Sequence, residues 1–292
     1  MRPDPITPDF SRPDPRVATD QAARQADGAI RGSGLTVREI GEMDDLLALS
    51  DVIDRVWRRE TPMVEHGLLR AFAEAGGYIV GAWAGDALIG GAVAFLGSHD
   101  GTIVLHSHIA GILDAEAGNG RGRALKLHQR AWCLARGIDV VEWTFDPLIR
   151  RNAWFNLQRL GVAVERYEEN YYGSLRDDAI NGGDESDRFV VNWHLTAGAV
   201  RELAGGSRIE PDQELLEAAG AHDLVDDRGK PTGAAPSTAF VLVPDDIVAM
   251  RAADPDAAMR WRRSTRQALA TRLAEGDRIT GFTRSGRYVV AP

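Results

Sequence analysis

His106 and His108 stand two residues apart in the apolar, β-branched run 103–109. Alternation along a strand turns both imidazoles to one face. Imidazole titrates at about 6.5 when unperturbed, which suits it to taking a proton near neutral pH. Two such rings on one face of an inner strand are uncommon as core filling. Two His without a third ligand nearby make a poor metal site, so no metal is expected. The sequence alone leaves a proton-transfer pair and a satisfied core pair both open. Glu142, on a later strand, is a second candidate base, with an ordinary surface-facing carboxylate as the alternative. Tyr167, Tyr171 and Tyr172 can each supply a proton or simply pack, and Tyr172 is the candidate acid.

The segment after the His pair runs Gly111-Ile112-Leu113-Asp114-Ala115-Glu116-Ala117-Gly118-Asn119-Gly120-Arg121-Gly122-Arg123-Ala124. Beyond it Leu125, Leu127, Ala131, Trp132 and Ala135 recur at helical spacing, so the order is strand, glycine-rich turn, helix. Glycines at 118, 120 and 122 leave the turn without side chains. Its backbone N–H groups can then close on an anion at the positive end of the helix. Arg121 and Arg123 add charge beside it, and the implied ligand is a phosphate or pyrophosphate. A plain structural turn is the alternative. A dinucleotide site is disfavoured, because Gly118-x-Gly120-x-Gly122 does not have the G-x-G-x-x-G spacing.

Positioning these groups takes a sizeable core, and 292 residues with 44% apolar content can build one large domain or two small ones. A net charge of −9 argues against a nucleic-acid partner bound through basic surface. The single cysteine, Cys133, excludes an internal disulfide and a Cys-based zinc site, and its place in the helical pattern marks a packed core thiol. The N-terminus has no apolar signal segment. Residues 78–96 are apolar but for Asp86, roughly the length of a membrane span. The Gly85-Asp86 turn and the surrounding glycines read better as two buried strands of a hairpin. The expectation is a cytoplasmic protein with no membrane partner, and a homodimer is compatible with it.

In order, residues 1–33 carry five prolines among alternating Arg and Asp and are expected to be a disordered tail. A first strand follows at 35–40. A helix capped by Asp44 or Asp45 comes next, then one starting at Pro62 and ending at Gly76-Gly77. The hairpin, the strand 102–113, the helix 122–136 and a strand 138–145 follow. A helix then runs to about Leu160-Gly161, with strands at 162–167 and 189–195. Residues 165–187 hold eight Asp/Glu against Arg166 and Arg176 and read either as a solvated loop or as a substrate loop. Residues 197–292 form a small α+β appendage: a strand at 239–243, a helix at 255–275 with Trp261 and Leu269 on its apolar face, and a closing hairpin around Ser285-Gly286. Arg262 and Arg266 lie four apart on another face of that helix. They either pair with the acidic loop or clamp a carboxylate of a substrate.

The turn 117–122 resembles the Q/R-x-x-G-x-G/A motif of the GNAT (GCN5-related) N-acetyltransferase superfamily, with Ala117 in the first position. The order β-α-α-β-β-β-α-β-α-β-β over 34–196 is similar to the GNAT order. The resemblance implies an α/β (α+β) fold, a mixed central sheet flanked by helices. The implied cofactor is acetyl-CoA or another acyl-CoA, succinyl-CoA among them. It would be held by Gly111, Ile112, Gly118, Asn119, Gly120, Arg121, Gly122, Arg123 and Ala124, with Asn152 and Phe155 alongside. The Tyr that the superfamily often uses as general acid falls on Leu157. The arylalkylamine acetyltransferases carry a His-x-His at the offset of His106 and His108. Phrases around 152–173 and at Ser186-Asp187-Arg188 resemble a GNAT subgroup with a C-terminal extension, some members of which are associated with acyl transfer to amino acids. The function so implied is N-acyl transfer from acyl-CoA to a small amine or amino acid. The alternative is a non-catalytic acyl-CoA sensor on the same fold.

Overall fold

Seven strands form the central sheet of the computed structural model, which describes residues 14–173, 185–233 and 236–292. They are β1 (Thr36–Glu39), β2 (Tyr78–Ala84), β3 (Ala87–His99), β4 (Thr102–Ile112), β5 (Val140–Phe145), β6 (Ala163–Glu168) and β7 (Arg188–His194), in the spatial order β1-β2-β3-β4-β5-β7-β6. Neighbours are antiparallel except β4 and β5, which run parallel. The expected hairpin is β2–β3. Among the described residues no helix is long and apolar enough to cross a membrane.

Two helices, α2 (Met43–Trp57) and α3 (His66–Glu74), cover one face, where Leu46, Leu49, Ile53 and Leu69 meet Ile79, Val93 and Ile109. The starts of both differ from expectation. Glu42 precedes α2, and Asp44 and Asp45 fall inside its first turn, where they complement the helix dipole. α3 begins after Glu65 and not at Pro62, because the Glu65 carboxylate accepts from Gly67 N and Leu68 N at 2.9 and 3.0 Å.

The other face is covered by α1 (Pro15–Ser33), α4 (Arg121–Leu134) and α5 (Arg150–Trp154), which continues as a π-helical turn over Phe155–Leu160. α1 overturns the expected disordered tail for residues 15–33; residues 1–13 lie outside the described residues. Asp14 caps it by accepting from Arg16 N at 2.8 Å, and Pro15 fills the first position, where a missing N–H costs nothing. Ala18, Ala22 and Ala26, four apart, form a small-residue stripe buried in the core. Cys133 is enclosed as expected, and burial pushes its thiol up to about 12.

The C-terminal part adds α6 (Gly198–Ala204), α7 (Gln213–Ala218), β8 (His222–Asp223), β9 (Ala239–Leu242), α8 (Ile247–Ala253), α9 (Pro255–Ala274), β10 (Arg278–Phe282) and β11 (Arg287–Ala291). The four strands make a second sheet, β10-β11-β9-β8. Its core is continuous with the main one: Trp261, Leu269, Phe282 and Tyr288 pack in the same cluster as Phe145, Leu148 and Phe189.

Candidate active site

β4 and β5 pair only at Leu105–Val141 and His106–Glu142. β4 nevertheless continues to Ile112 and β5 to Phe145. Past His106 the two strands therefore part, and the edge of residues 107–112 that faces β5 presents backbone groups without a sheet partner there. Gly111 lies in this stretch. A Cβ on it would meet Trp57 and Val56 of α2 at 2.7–2.9 Å, so only glycine lets α2 lie so close to the strand.

Beyond β4, Gly118, Asn119 and Gly120 all have positive φ, 113°, 47° and 74°. A Cβ on Gly118 or Gly120 would have nothing within 4 Å, so glycine is required there by backbone conformation and the loop stays open in front. α4 then starts at Arg121 with no side-chain cap. Arg121 N donates to Gly118 O at 3.0 Å and Ala124 N to Gly120 O at 2.9 Å, so the first-turn donors that an anion site requires are those of Gly122 and Arg123. Across the loop, Phe155 Cζ lies 4.0 Å from the Cβ position of Gly122. Asn152 stands one turn earlier on α5, half-buried. Ala124 is fully buried against Leu35 and Ile89, with Ile112 beside it, and anchors α4 to the sheet.

The two arginines of the loop do not add free charge to it, contrary to expectation. Arg121 donates Nη1 to the Glu116 carbonyl at 3.0 Å, pairs with the Glu116 carboxylate and reaches Ser33 O. Arg123 donates Nη2 to Leu203 O and Ala204 O, both at 2.8 Å, at the end of α6. Each finds carbonyl acceptors nearby that a sequence cannot display. The fit to a pyrophosphate therefore rests on backbone donors and the helix terminus.

The proton-transfer candidates gather on the α2/α3 face of β4 and β5. His106 Nδ1 lies 3.1 Å from Glu142 Oε1, as their paired register dictates, and His99 Nε2 lies 2.9 Å from Glu142 Oε2. A carboxylate only accepts, so the His106 Nδ1 that faces it carries a proton. Phe95 stacks on the His106 ring at 5.0 Å between centroids, and the His108 ring lies 6.2 Å from that of His106. His108 occupies a β-bulge: Val93 opposes Ile109 and Ala94 opposes Ser107, so His108 has no partner of its own. Ser107 turns the opposite way, to Lys126. The two imidazoles thus share a face, as the alternation implied. Desolvation and the neighbouring His106 lower the His108 pKa, so its ring is neutral at pH 7. On β5 Thr144 Oγ1 lies 3.1 Å from Tyr172 Oη, which brings Tyr172 to the same face.

His99 and Thr144 went unnoticed in the sequence. The signal for His99 was Asp100-Gly101, a two-residue hairpin turn with φ of 49° and 78°. That turn sets His99 opposite Thr102, and so on the face of His106.

Arg262 and Arg266 are not a substrate clamp. Arg262 is fully buried and donates Nη1 and Nη2 to Asp146 at 2.9 and 2.8 Å. Arg266 donates Nε and Nη2 to Asp187 at 2.8 and 2.6 Å and pairs with Glu185 and Glu169. Arg266 thus makes the pairing with the acidic stretch, of which residues 174–184 lie outside the described residues, whereas Arg262 pairs outside that stretch, with Asp146. Leu157 is buried in the core.

The order of elements from β1 to β7 and the parting of β4 from β5 over an uncapped helix complete the pattern that the glycine-rich turn implied. The chain has the GNAT fold. No family profile and no curated protein sequence matches it. Solved structures similar to its GNAT part include Naa50 of Arabidopsis thaliana in complex with the bisubstrate analogue CoA-Ac-MVNAL, at 18% identity over 55% of this chain and 97% of that one, with a TM-score of 0.44. The ribosomal-protein-S18-alanine N-acetyltransferase of Escherichia coli is 14% identical over 56% and 96%, with a TM-score of 0.44. An aminoglycoside acetyltransferase from an uncultured soil metagenomic sample, in complex with sisomicin, is 12% identical over 39% and 78%, with a TM-score of 0.36.

Proposed function

We propose that this GNAT chain is an acyl-CoA-dependent N-acyltransferase that transfers an acetyl or succinyl group to the amino group of a small amine or amino acid. The observation that carries the reading is the oriented His106–Glu142 pair with neutral His108 beside it, on β4 just before that strand leaves β5 and runs to the glycine-rich loop. The backbone of Gly118, Asn119, Gly120 and Gly122 and the start of α4 would hold the pyrophosphate, with Gly111 and Ile112 at the strand edge and Asn152 and Phe155 opposite. Bound there, acyl-CoA supplies an activated thioester.

The chain's own part is proton management. An amine attacks only as the free base, so its ammonium form must lose a proton. His108 accepts it, with His106 Nε2 as the neighbouring acceptor and Glu142 holding His106 in the competent tautomer. The Tyr172 hydroxyl, fixed by Thr144, is the proton donor for the leaving group in place of the absent hydroxyl at Leu157. The small-molecule acceptor is favoured by the subgroup resemblance.

Gly120→Asp sets a carboxylate against the donors that a pyrophosphate needs, and places a Cβ where φ is 74°. Calorimetry on the folded variant should show acetyl-CoA affinity reduced by about a hundredfold or more; unchanged affinity would refute the cofactor site. Thiol release from acetyl- and succinyl-CoA over a panel of amines, amino acids and peptides tests the reaction. Turnover on peptides alone would refute the small-molecule acceptor, and tight binding without any turnover would identify a sensor.

A further inference from the structure

The C-terminal part touches both sides of the site. On the cofactor side it holds the turn from β5 to α5. Asp146 accepts from Arg262 and, at 2.7 Å, from Arg251 of α8. Pro147 O accepts from Tyr288 Oη of β11 at 2.7 Å. Arg150 donates Nε and Nη2 to Val243 O at 3.0 and 2.6 Å, and a Cβ on Gly286 would collide with its guanidinium at 2.1–2.6 Å. Three C-terminal elements thus converge on residues 146–150, and Asn152 and Phe155 follow at once. On the acceptor side Arg266, one turn after Arg262 on α9, holds Asp187. Asp187 also accepts from Tyr167 Oη at 2.6 Å and from Asn170 N at 3.0 Å, and Ser186 Oγ accepts from Tyr172 N at 2.9 Å.

We infer that α9 and β11 form a positioning frame: Tyr288 and Arg262 set the β5–α5 turn, and with it Asn152 and Phe155, while Arg266 ties Asp187, before β7, to Tyr167 and Asn170 and with them sets Tyr172. The substrate roles in this statement rest on the acyltransferase reading. An apolar interface would glue the two parts together with less desolvation; a guanidinium and a carboxylate enclosed together add little net stability but fix geometry, because breaking the pair is costly. The four-residue spacing puts one such Arg on Asp146, at the β5–α5 turn, and the other on Asp187, just before β7.

Tyr288→Phe keeps the ring, packed against Phe189 and Phe282, and removes only the bond to Pro147 O. On the full chain it should raise the acetyl-CoA Kd about three- to tenfold with the acceptor KM unchanged, the worth of one hydrogen bond. Amide exchange should quicken across 148–155 and not elsewhere. Arg266→Gln should do the converse, lowering kcat several-fold at constant acetyl-CoA Kd, with partial rescue in Arg266→Lys. The frame is overturned if both variants only lower Tm, or if both shift the same constant. Absence of acetyl-CoA binding by the unaltered chain refutes the acyltransferase reading instead. The exchange pattern of Tyr288→Phe then still decides the frame: quickening confined to 148–155 upholds it, and an unaltered pattern overturns it.

Discussion

Replacing both His106 and His108 with Ala should lower turnover about a hundred- to ten-thousand-fold at neutral pH while acetyl-CoA affinity stays unchanged. On the acyltransferase reading the loss is that of general-base catalysis. The affinity is spared because both rings lie on the face of β4 away from Ser107 and Lys126 and precede the glycine-rich loop by ten residues or more. Each single variant should cost less than the pair, since the rings stand 6.2 Å apart on one face and one of them remains. Glu142→Gln should fall between, because an amide both donates and accepts and no longer enforces a proton on His106 Nδ1.

The pH profile adds a sign. The base works unprotonated, and desolvation together with His106 lowers the His108 pKa. The fall of kcat/KM on the acid side should therefore lie below the ordinary imidazole value of about 6.5. In the double variant that limb should vanish, and the residual rate should rise with pH as free amine becomes available. A folded double variant with near-normal turnover at neutral pH would show that both rings are packing residues.

Local signals carried most of the fold but only separate residues of the candidate site. The glycines at 118 and 120 could be read because a left-handed φ demands them, and Gly85-Asp86 because a two-residue turn does. The His106–Glu142 pair could be read only as two separate candidates, since their contact depends on a parallel register between strands 36 residues apart. Arg262 misled for the same reason: its partner Asp146 is 116 residues away, and nothing near Arg262 announces that it is enclosed. α1 was hidden by composition. Its prolines, Arg and Asp are those of a solvated tail, yet Ala18, Ala22 and Ala26 carry the four-residue period of a helix that packs closely. The loop arginines failed differently, because backbone carbonyls that capture a guanidinium have no sequence signature.

Lys126 leads to the second large effect. It is buried on α4 behind the same strands, its Nζ 3.8 Å from the Trp143 ring centroid, 2.5 Å from Gln129 Oε1 and 3.3 Å from Ser107 Oγ. Desolvation pushes its pKa down to about 7, against an unfolded value of 10.5. Between those values the unfolded chain binds more protons than the folded one, so stability rises with pH across that window. The cost of the buried charge is felt in full below pH 7 and is gone above 10.5. From pH 7 to 9 the gain is about 2 kcal/mol. Further up Cys133 opposes it: burial raises the thiol pKa from 9.0 to about 12, so the folded state holds a proton there that the unfolded chain releases. Lys126→Met keeps the length of the side chain and leaves Gln129 Nε2 bonded to Ser107 Oγ at 3.2 Å. Urea unfolding of both proteins at pH 7, 8 and 9 should show the variant gaining on the parent most at pH 7 and their difference shrinking by about 2 kcal/mol by pH 9. A difference that stays constant with pH would mean that Lys126 keeps its proton in the core, held by the Trp143 and Trp193 indoles, 3.8 and 5.4 Å from its Nζ, and by Gln129.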